Sequence, residues 1–369
     1  MMRTSAGLLI FMLLGLTASA QVSPSFVNPL FSKFGPNDPG CAILVIKEGK
    51  VVFEKGYGVA ELRTREHIGP ETSFRLASLT KEFTAMAIML LVHDGKLRYD
   101  ERLTDIFPGF PAYGKNITVR QMLNHTSGLL DYEDLMPNPY PSKTGEKIPQ
   151  IRDDEVLELL KKQTTTRYAP GTRWEYSNSG YVLLGLVVER RSGMNFGDFL
   201  RARIFQPLGM ANTIVYEVGK NEVSHRAFGH TLDAGTWRET DQSPTSATRG
   251  DGRVYTSLED MAKWDRALNE HTLLTEKEMQ PALIPATDVH GAPLRQLNGS
   301  LAPLYGFGWF LDSYHGHRRY WHYGETVGFR NAIDRFPDQR LTVVVLSNRA
   351  ETDAPALALS VADLYLSHE

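Results

Sequence analysis

Two periods alternate along this chain, and they divide it into strands at both ends and helices between. Residues 42–46 form an apolar run, Glu48-Gly49-Lys50 interrupts it and residues 51–54 resume it, which predicts a β-hairpin. From Phe83 the spacing changes: Phe83, Met86, Ala87, Leu90 and Leu91 share one helical face, and Gly95 closes it. Helical patterns recur at 103–107, 119–123, 153–162, 181–189, 195–205 and 258–268, the last with Ser257 as N-cap. Beyond the proline-bounded stretch 281–293 the period returns to that of strands, at 306–311, 319–323, 329–335 and 341–346, with Pro337-Asp338 as a hairpin turn. Residues 354–366 close the chain as an amphipathic helix. This order predicts an α/β chain of α+β type: an antiparallel β-sheet fed from both termini and flanked by helices, plus an all-helical lobe, with a cleft between them.

The beginning of the chain reads differently. Met1-Met2-Arg3, the apolar run 8–16 and Ala18-Ser19-Ala20 form the pattern of a secretory signal peptide cut between Ala20 and Gln21, so the mature protein is expected to be secreted or periplasmic. That run is short for a bilayer, and no later one suggests a membrane span. Residues 21–40, rich in proline and serine, are expected to pack onto the body as a leader. Cys41 is the single cysteine, so no internal disulfide forms, and its apolar surroundings suit a small buried residue. A composition of 42% hydrophobic residues supports a large core, and a net charge of -3 gives no electrostatic reason to expect a nucleic-acid partner.

Three short motifs could carry chemistry. Ser78-Leu79-Thr80-Lys81 puts a hydroxyl and an amine one turn apart near a helix N-terminus, whose positive end disfavours the charged amine and makes it a base for its neighbour. Alone it means little, since one Ser-x-x-Lys is expected by chance roughly once in such a chain. Tyr176-Ser177-Asn178 enters a helix, where it is read either as a phenol and carboxamide facing the cleft or as a plain cap beside a half-buried ring. His322-Tyr323-Gly324 ends a strand; its glycine allows close backbone approach, and the next amide could serve an oxyanion. His315-Gly316-His317 reads as a polar hairpin turn, without a third ligand at metal spacing.

Taken in order, with Tyr176 roughly 100 residues after Ser78 and His322 roughly 145 later, the motifs resemble those of the serine β-lactamase and penicillin-binding superfamily, specifically the class C β-lactamase-related serine hydrolases. The likeness runs through residues 74–81, 123–129, 176–181, 207–210, 252–257, 305–309 and 345–348. It implies a β-lactamase/transpeptidase-like fold, with residues 41–369 as the catalytic domain, its sheet lobe in 41–77 and 300–369 and its helical lobe in 78–299. Ser78 would be the acylated nucleophile, Lys81 its base and Tyr176 the relay that protonates the leaving group and activates water. Asn178 would hold the substrate carbonyl or Lys81, and the amides of Ser78 and Glu325 would form the oxyanion hole. No metal or cofactor is implied. Substrate contacts would come from Asn178, His322, Tyr323 and Gly324.

One departure bears on substrate. True class C enzymes carry Lys-Thr-Gly on this strand, whereas His322 and Tyr323 offer a titratable charge and no short hydroxyl. That resembles the D-aminopeptidase, D-alanyl-D-alanine carboxypeptidase and esterase branches, and points to a small-molecule or peptide amide or ester, peptidoglycan-derived or a β-lactam among the possibilities. A genuine β-lactamase, or a penicillin-binding wall sensor without turnover, are the alternatives. Lys143-Thr144-Gly145 matches the missing triplet by letter but lies in a proline-rich loop with no strand to aim it. Arg330 and Arg349 are candidates by position for binding a substrate carboxylate.

Overall fold

The computed structural model describes residues 22–141, 147–301 and 303–366; the expected signal peptide and the Lys143-Thr144-Gly145 triplet lie outside them. One antiparallel sheet of seven strands comprises β1 (Cys41–Lys47), β2 (Lys50–Tyr57), β3 (Leu304–Tyr305), β4 (Phe310–Tyr314), β5 (His317–Thr326), β6 (Phe329–Phe336) and β7 (Leu341–Ser347), in the order β2-β1-β7-β6-β5-β4-β3. Strand β1 lies directly against β7, with Cys41 opposite Ser347, so the two ends of the chain do meet in one sheet. The longest helices among the described residues are α1 (Thr80–His93), α2 (Asn178–Ser192), α3 (Leu258–Glu270) and α4 (Ala354–Leu366).

Burial on both faces explains why β1 and β7 read as unbroken apolar runs. Ala42, Leu44, Ile46, Val344 and Leu346 enter the larger core, which includes α1, α2 and α3. Their alternates Cys41, Ile43, Val45, Val343 and Val345 enter a second core with α4 and with the leader residues Val27, Phe31 and Phe34. Cys41 is therefore a buried core residue, and the leader packs on the sheet as its composition suggested.

Two expectations need correcting. The strand expected at 306–311 is displaced: Gly306 to Trp309 form a turn between β3 and β4, closed by Gly306 N–H donating to the Trp309 carbonyl at 2.8 Å. Gly308 has φ +79°, and a Cβ there would lie 2.9 Å from the Lys81 carbonyl. Alternating glycines and aromatics imitate a strand's period here, while close approach to α1 is what the glycine serves. Nor is the stretch 78–299 helical throughout. Ile214–Val215 and Val254–Thr256 join Phe74–Arg75 in a three-stranded sheet, and α3 lies against β1 and β7, on the side of the sheet lobe.

Beyond β7, Asn348 holds several segments together. Its amide donates to the carbonyls of Val59 (3.2 Å), Ala60 (3.0 Å) and Phe228 (3.0 Å) and accepts from Gly40 N–H (2.8 Å). Asn348→Ala would leave these buried groups without their partner, and should lower the unfolding free energy by about 3 kcal/mol or more. Urea unfolding with an unchanged m-value checks this; a loss under about 1 kcal/mol would show that the amide is dispensable.

Candidate active site

Ser78 lies on a short 3₁₀ turn, Ala77–Leu79, that leads into α1. The preceding Ala77 is held at φ +51°, a left-handed conformation costing a residue with a Cβ about 1–3 kcal/mol. One turn on, Lys81 is completely buried. Its Nζ lies 3.0 Å from Ser78 Oγ, 2.8 Å from Asn178 Oδ1 and 3.2 Å from the Asp251 carbonyl. Three acceptors match the three N–H groups of an ammonium. Once the amine is neutral, its lone pair can instead receive the Ser78 proton. Burial lowers the Lys81 pKa to about 8, against the opposing pull of Asp251, Asp131 and Glu133. The sequence suggested the helix dipole as the cause; in the structure, removal from water dominates.

The second motif enters the site through Asn178, the first residue of α2. Charged Lys81 only donates and ionised Glu133 only accepts, which orients the Asn178 amide: Oδ1 faces Lys81 and Nδ2 faces Glu133 Oε1 at 3.2 Å. Asp131 Oδ2 accepts the Asn178 backbone N–H at 2.6 Å. Ser177 occupies the cap position, yet its side chain does not cap and its Oγ is buried without a partner. Tyr176 keeps part of its ring open to the cleft, with Lys81 Nζ 4.8 Å from the ring centroid. Its buried hydroxyl interacts with Ser78, and burial, outweighing that interaction, holds the phenol well above its usual range, hence protonated.

Strand β5 supplies the third motif. His322 is completely buried and neutral, which corrects the expected titratable charge: burial, helped by the Lys81 charge, lowers its pKa to about 3. Its Nδ1 lies 2.7 Å from the Tyr323 carbonyl and must carry the proton, leaving Nε2 to accept from the Tyr305 hydroxyl at 3.0 Å. Tyr323 is 38% exposed and stacks on Phe310, which also stacks on Tyr176 and Trp321. At Gly324 a Cβ would sit 1.9 Å from the Leu76 carbonyl, so only glycine lets β5 touch the turn that carries Ser78.

Peptide direction on β5 follows from pairing. A two-residue turn at His315-Gly316 makes His317 and Tyr314 a hydrogen-bonded pair, so alternate residues through Trp321 bond to β4. Pairing with β4 ends at Trp321. The Tyr323 and Glu325 amides thus face an edge that β4 does not cover, as an oxyanion donor at Glu325 requires. Of the two candidate arginines, Arg330 lines a pocket beside Tyr323, Gly324 and Glu325, whereas Arg349 is held elsewhere. Arg330 binds Glu325 Oε1 at 2.9 Å and two carbonyls, and Arg349 lies over Trp237 and reaches the Lys33 carbonyl.

Sequence reasoning gave no role to His125, Asp251 or Tyr305. His125 accepts the Ser177 N–H at 3.3 Å through Nδ1, and its ring lies 4.4 Å from those of Tyr176 and Tyr305. His125, Asp251 and Tyr305 all lie in or beside segments 123–129, 252–257 and 305–309, whose family likeness was the available signal. Among the described residues no cluster of His, Cys, Asp or Glu could hold a metal, and no helix is long and apolar enough to cross a membrane.

A serine paired with a buried lysine, between an antiparallel sheet and a helical lobe, defines the penicillin-recognising class of serine hydrolase folds. The chain belongs to the Beta-lactamase family, whose match spans residues 35–366. It is 32% identical over 321 residues to penicillin-binding protein 4* of Bacillus subtilis, covering 84% of this chain and 68% of that protein. Among solved structures it resembles a penicillin-binding protein from Bacillus halodurans (28% identity, TM-score 0.76, 92% of this chain and 98% of that one). It also resembles a D-amino acid amidase from Ochrobactrum anthropi SV3 complexed with L-phenylalanine amide (25% identity, TM-score 0.73, covering 93% and 96%). Curated relatives are longer, the chain spanning between 56% and 71% of their length.

In nitrogen-15 spectra of lysine-labelled protein, one amine absent from Lys81→Met should titrate near pH 8, whereas exposed lysines titrate at about 10.4. Asn178 accepts from the charged form, so Asn178→Leu should move that midpoint lower still. A midpoint that stays put or rises would contradict the arrangement.

Proposed function

We propose that this protein is a hydrolase that cleaves an amide or ester through an acyl-enzyme on Ser78, with esterase or D-amino-acid peptidase specificity in place of β-lactamase specificity. The observation that carries this reading is the 3.0 Å contact between Ser78 Oγ and a buried amine with a pKa of about 8. Neutral Lys81 takes the Ser78 proton as Oγ bonds to the substrate carbonyl carbon. The amides of Ser78 and Glu325 hold the oxyanion, an interaction for which each donor is worth roughly 10²–10³ in rate. Collapse of the intermediate breaks the bond to the leaving group, which receives the proton from Lys81 through protonated Tyr176. Water then attacks the acyl-enzyme, giving a proton to the same pair, and Ser78 leaves with one.

Charge supports the substrate assignment. Neutral His322 replaces the lysine that would meet a β-lactam carboxylate, and the nearby Arg330 is paired with Glu325. Asp131, Glu133 and Asp251 lie near enough to act on the Lys81 charge, so the cleft favours neutral or cationic substrates over anions. Likeness to a D-amino acid amidase agrees with this preference. With residues 1–20 read as a signal peptide, the enzyme works outside the cytoplasm.

Intact mass after exposure to a fluorophosphonate should show one adduct on the wild type and none on Ser78→Ala, and p-nitrophenyl ester turnover should vanish with it. Rapid hydrolysis of a chromogenic cephalosporin would reverse the substrate assignment. Deprotonation of Lys81 is required, so kcat/KM should rise with pH through a midpoint near 8 and then level off. His322 is already neutral above about 3. A further limb at about 6.5 that disappears in His322→Gln would therefore contradict its assignment.

A further inference from the structure

In the proposed reaction the Tyr176 hydroxyl has to meet Ser78 and the leaving group, yet no regular element holds it. Residues 175–177 lie between an isolated bridge at Trp174 and the start of α2, outside any helix or strand. A phenol on such a stretch takes its direction from whatever fixes the two peptides beside it. Both are bonded to one residue: Glu175 N–H donates to the His125 carbonyl at 3.1 Å, and Ser177 N–H donates to His125 Nδ1 at 3.3 Å. The ring of His125 also lies 4.4 Å from that of Tyr176, nearer than the rings of Phe310 (6.1 Å), His322 (6.0 Å) and Tyr305 (6.1 Å).

His125 is itself firmly held. It is buried, its carbonyl takes a second bond from the Tyr168 hydroxyl at 2.9 Å, and Thr126 beyond it is tied to the Gln121 carbonyl and to Gly171 N–H, each at 2.8 Å. Its φ is +58°, a left-handed conformation that costs a residue with a Cβ energy and that His, Asn and Asp tolerate better than most. Because Nδ1 accepts an N–H, the ring is neutral with its proton on Nε2, which is buried without a partner. Burial, then the Lys81 charge, holds the imidazole well below the usual histidine range, so the acceptor stays available. A side chain that only filled space would need neither the strain nor a nitrogen turned to a backbone amide.

We propose that His125 is the positioning residue for Tyr176: by bonding the amides on either side of it and lying against its ring, His125 sets the direction of the phenol before a substrate arrives. The carbonyl is present whichever residue stands at 125, so the side chain's own contribution is the Ser177 bond and the ring contact. A misdirected phenol would slow the steps in which it moves a proton, above all the departure of a basic leaving group, and spare those that need none. This kinetic consequence rests on the acyl-transfer reading, whereas the orientation itself is a property of the free protein.

His125→Asn is the conservative variant, since its Oδ1 stands about where Nδ1 does, accepts the same bond and tolerates the positive φ. His125→Leu fills the site without accepting; if it does not fold, His125→Gly, which lacks the acceptor and suits the backbone, takes its place. In protein labelled with carbon-13 at tyrosine Cζ, the resonance missing from Tyr176→Phe should be single and narrow in the wild type and in His125→Asn, and split or broadened in His125→Leu. In single-turnover acylation, His125→Leu should slow phenyl butyrate at least about fivefold more than p-nitrophenyl butyrate, whose leaving group departs without a proton. His125→Asn should return that ratio to within about twofold of the wild type. A general loss of structure would slow both esters alike. The proposal is overturned if the Tyr176 resonance stays single and narrow without the acceptor, if both esters slow equally, or if asparagine does no better than leucine. Absence of any ester turnover in the wild type would instead sink the hydrolase reading, and the Tyr176 resonance would then decide the positioning by itself.

Discussion

A lysine amine taken out of water and still bonded to three acceptors is the constraint on which the rest of this structure depends. Desolvation alone would make Lys81 a weak cation. The charges of Asp251, Asp131 and Glu133 oppose that loss and keep it near its working point, and the amine is held in place by acceptors from Ser78, Asn178 and the Asp251 backbone. They come from three separate parts of the chain: the turn before α1, the start of α2 and the loop before Val254–Thr256. Each has its own support, since Asp131 and Glu133 fix Asn178, and Gly324 lets β5 press against the Ser78 turn. Both lobes are thus tied to one nitrogen, and a displacement of about 1 Å in any of these parts would break a bond that the chemistry needs.

Much of the fold was legible because its signals are local. The hairpin, α1, α3, α4 and the last two strands of the sheet carry periods and stop signals in their own residues, and their burial follows from those periods. Where the reading failed, a tertiary demand was expressed through a residue that also has a local meaning. Gly306 and Gly308 looked like part of a strand because aromatics alternate with them, yet Gly308 is shaped by contact with α1. Similarly, Ser177 has the residue type and backbone of a cap without making the cap bond.

The candidate site divides along the same line. Ser78, Lys81, Tyr176, Asn178, His322 and Gly324 converge as their motifs implied, because residue type and order were enough to nominate them. What those residues do to one another was not legible. Burial sets the Lys81 pKa, keeps Tyr176 protonated and strips His322 of charge, and burial belongs to the assembled core. His125 and Asp251 show the same limit: one acts through its ring, and the other bonds Lys81 through a backbone carbonyl, a contact that residue type does not advertise.

His322 changes meaning under this view. If it were an imidazolium it would stand in for the lysine of related enzymes, and the cleft would still attract an anion. Buried between the Tyr305 hydroxyl and the Tyr323 carbonyl, it has one donor and one acceptor already matched and no water to stabilise a proton. The strand therefore offers the substrate shape, an aromatic surface through Tyr323 and Phe310, and a backbone amide, without a cation. Asp131, Glu133 and Asp251 are left acting on the Lys81 charge and outnumber it, while burial with the neighbouring Asp131 and Asp251 raises the Glu133 carboxyl to about 7. For the proposed hydrolase, an anionic substrate would add to that imbalance whereas a neutral amide or ester would not, which ties the proposed selectivity to a charge that the strand withholds.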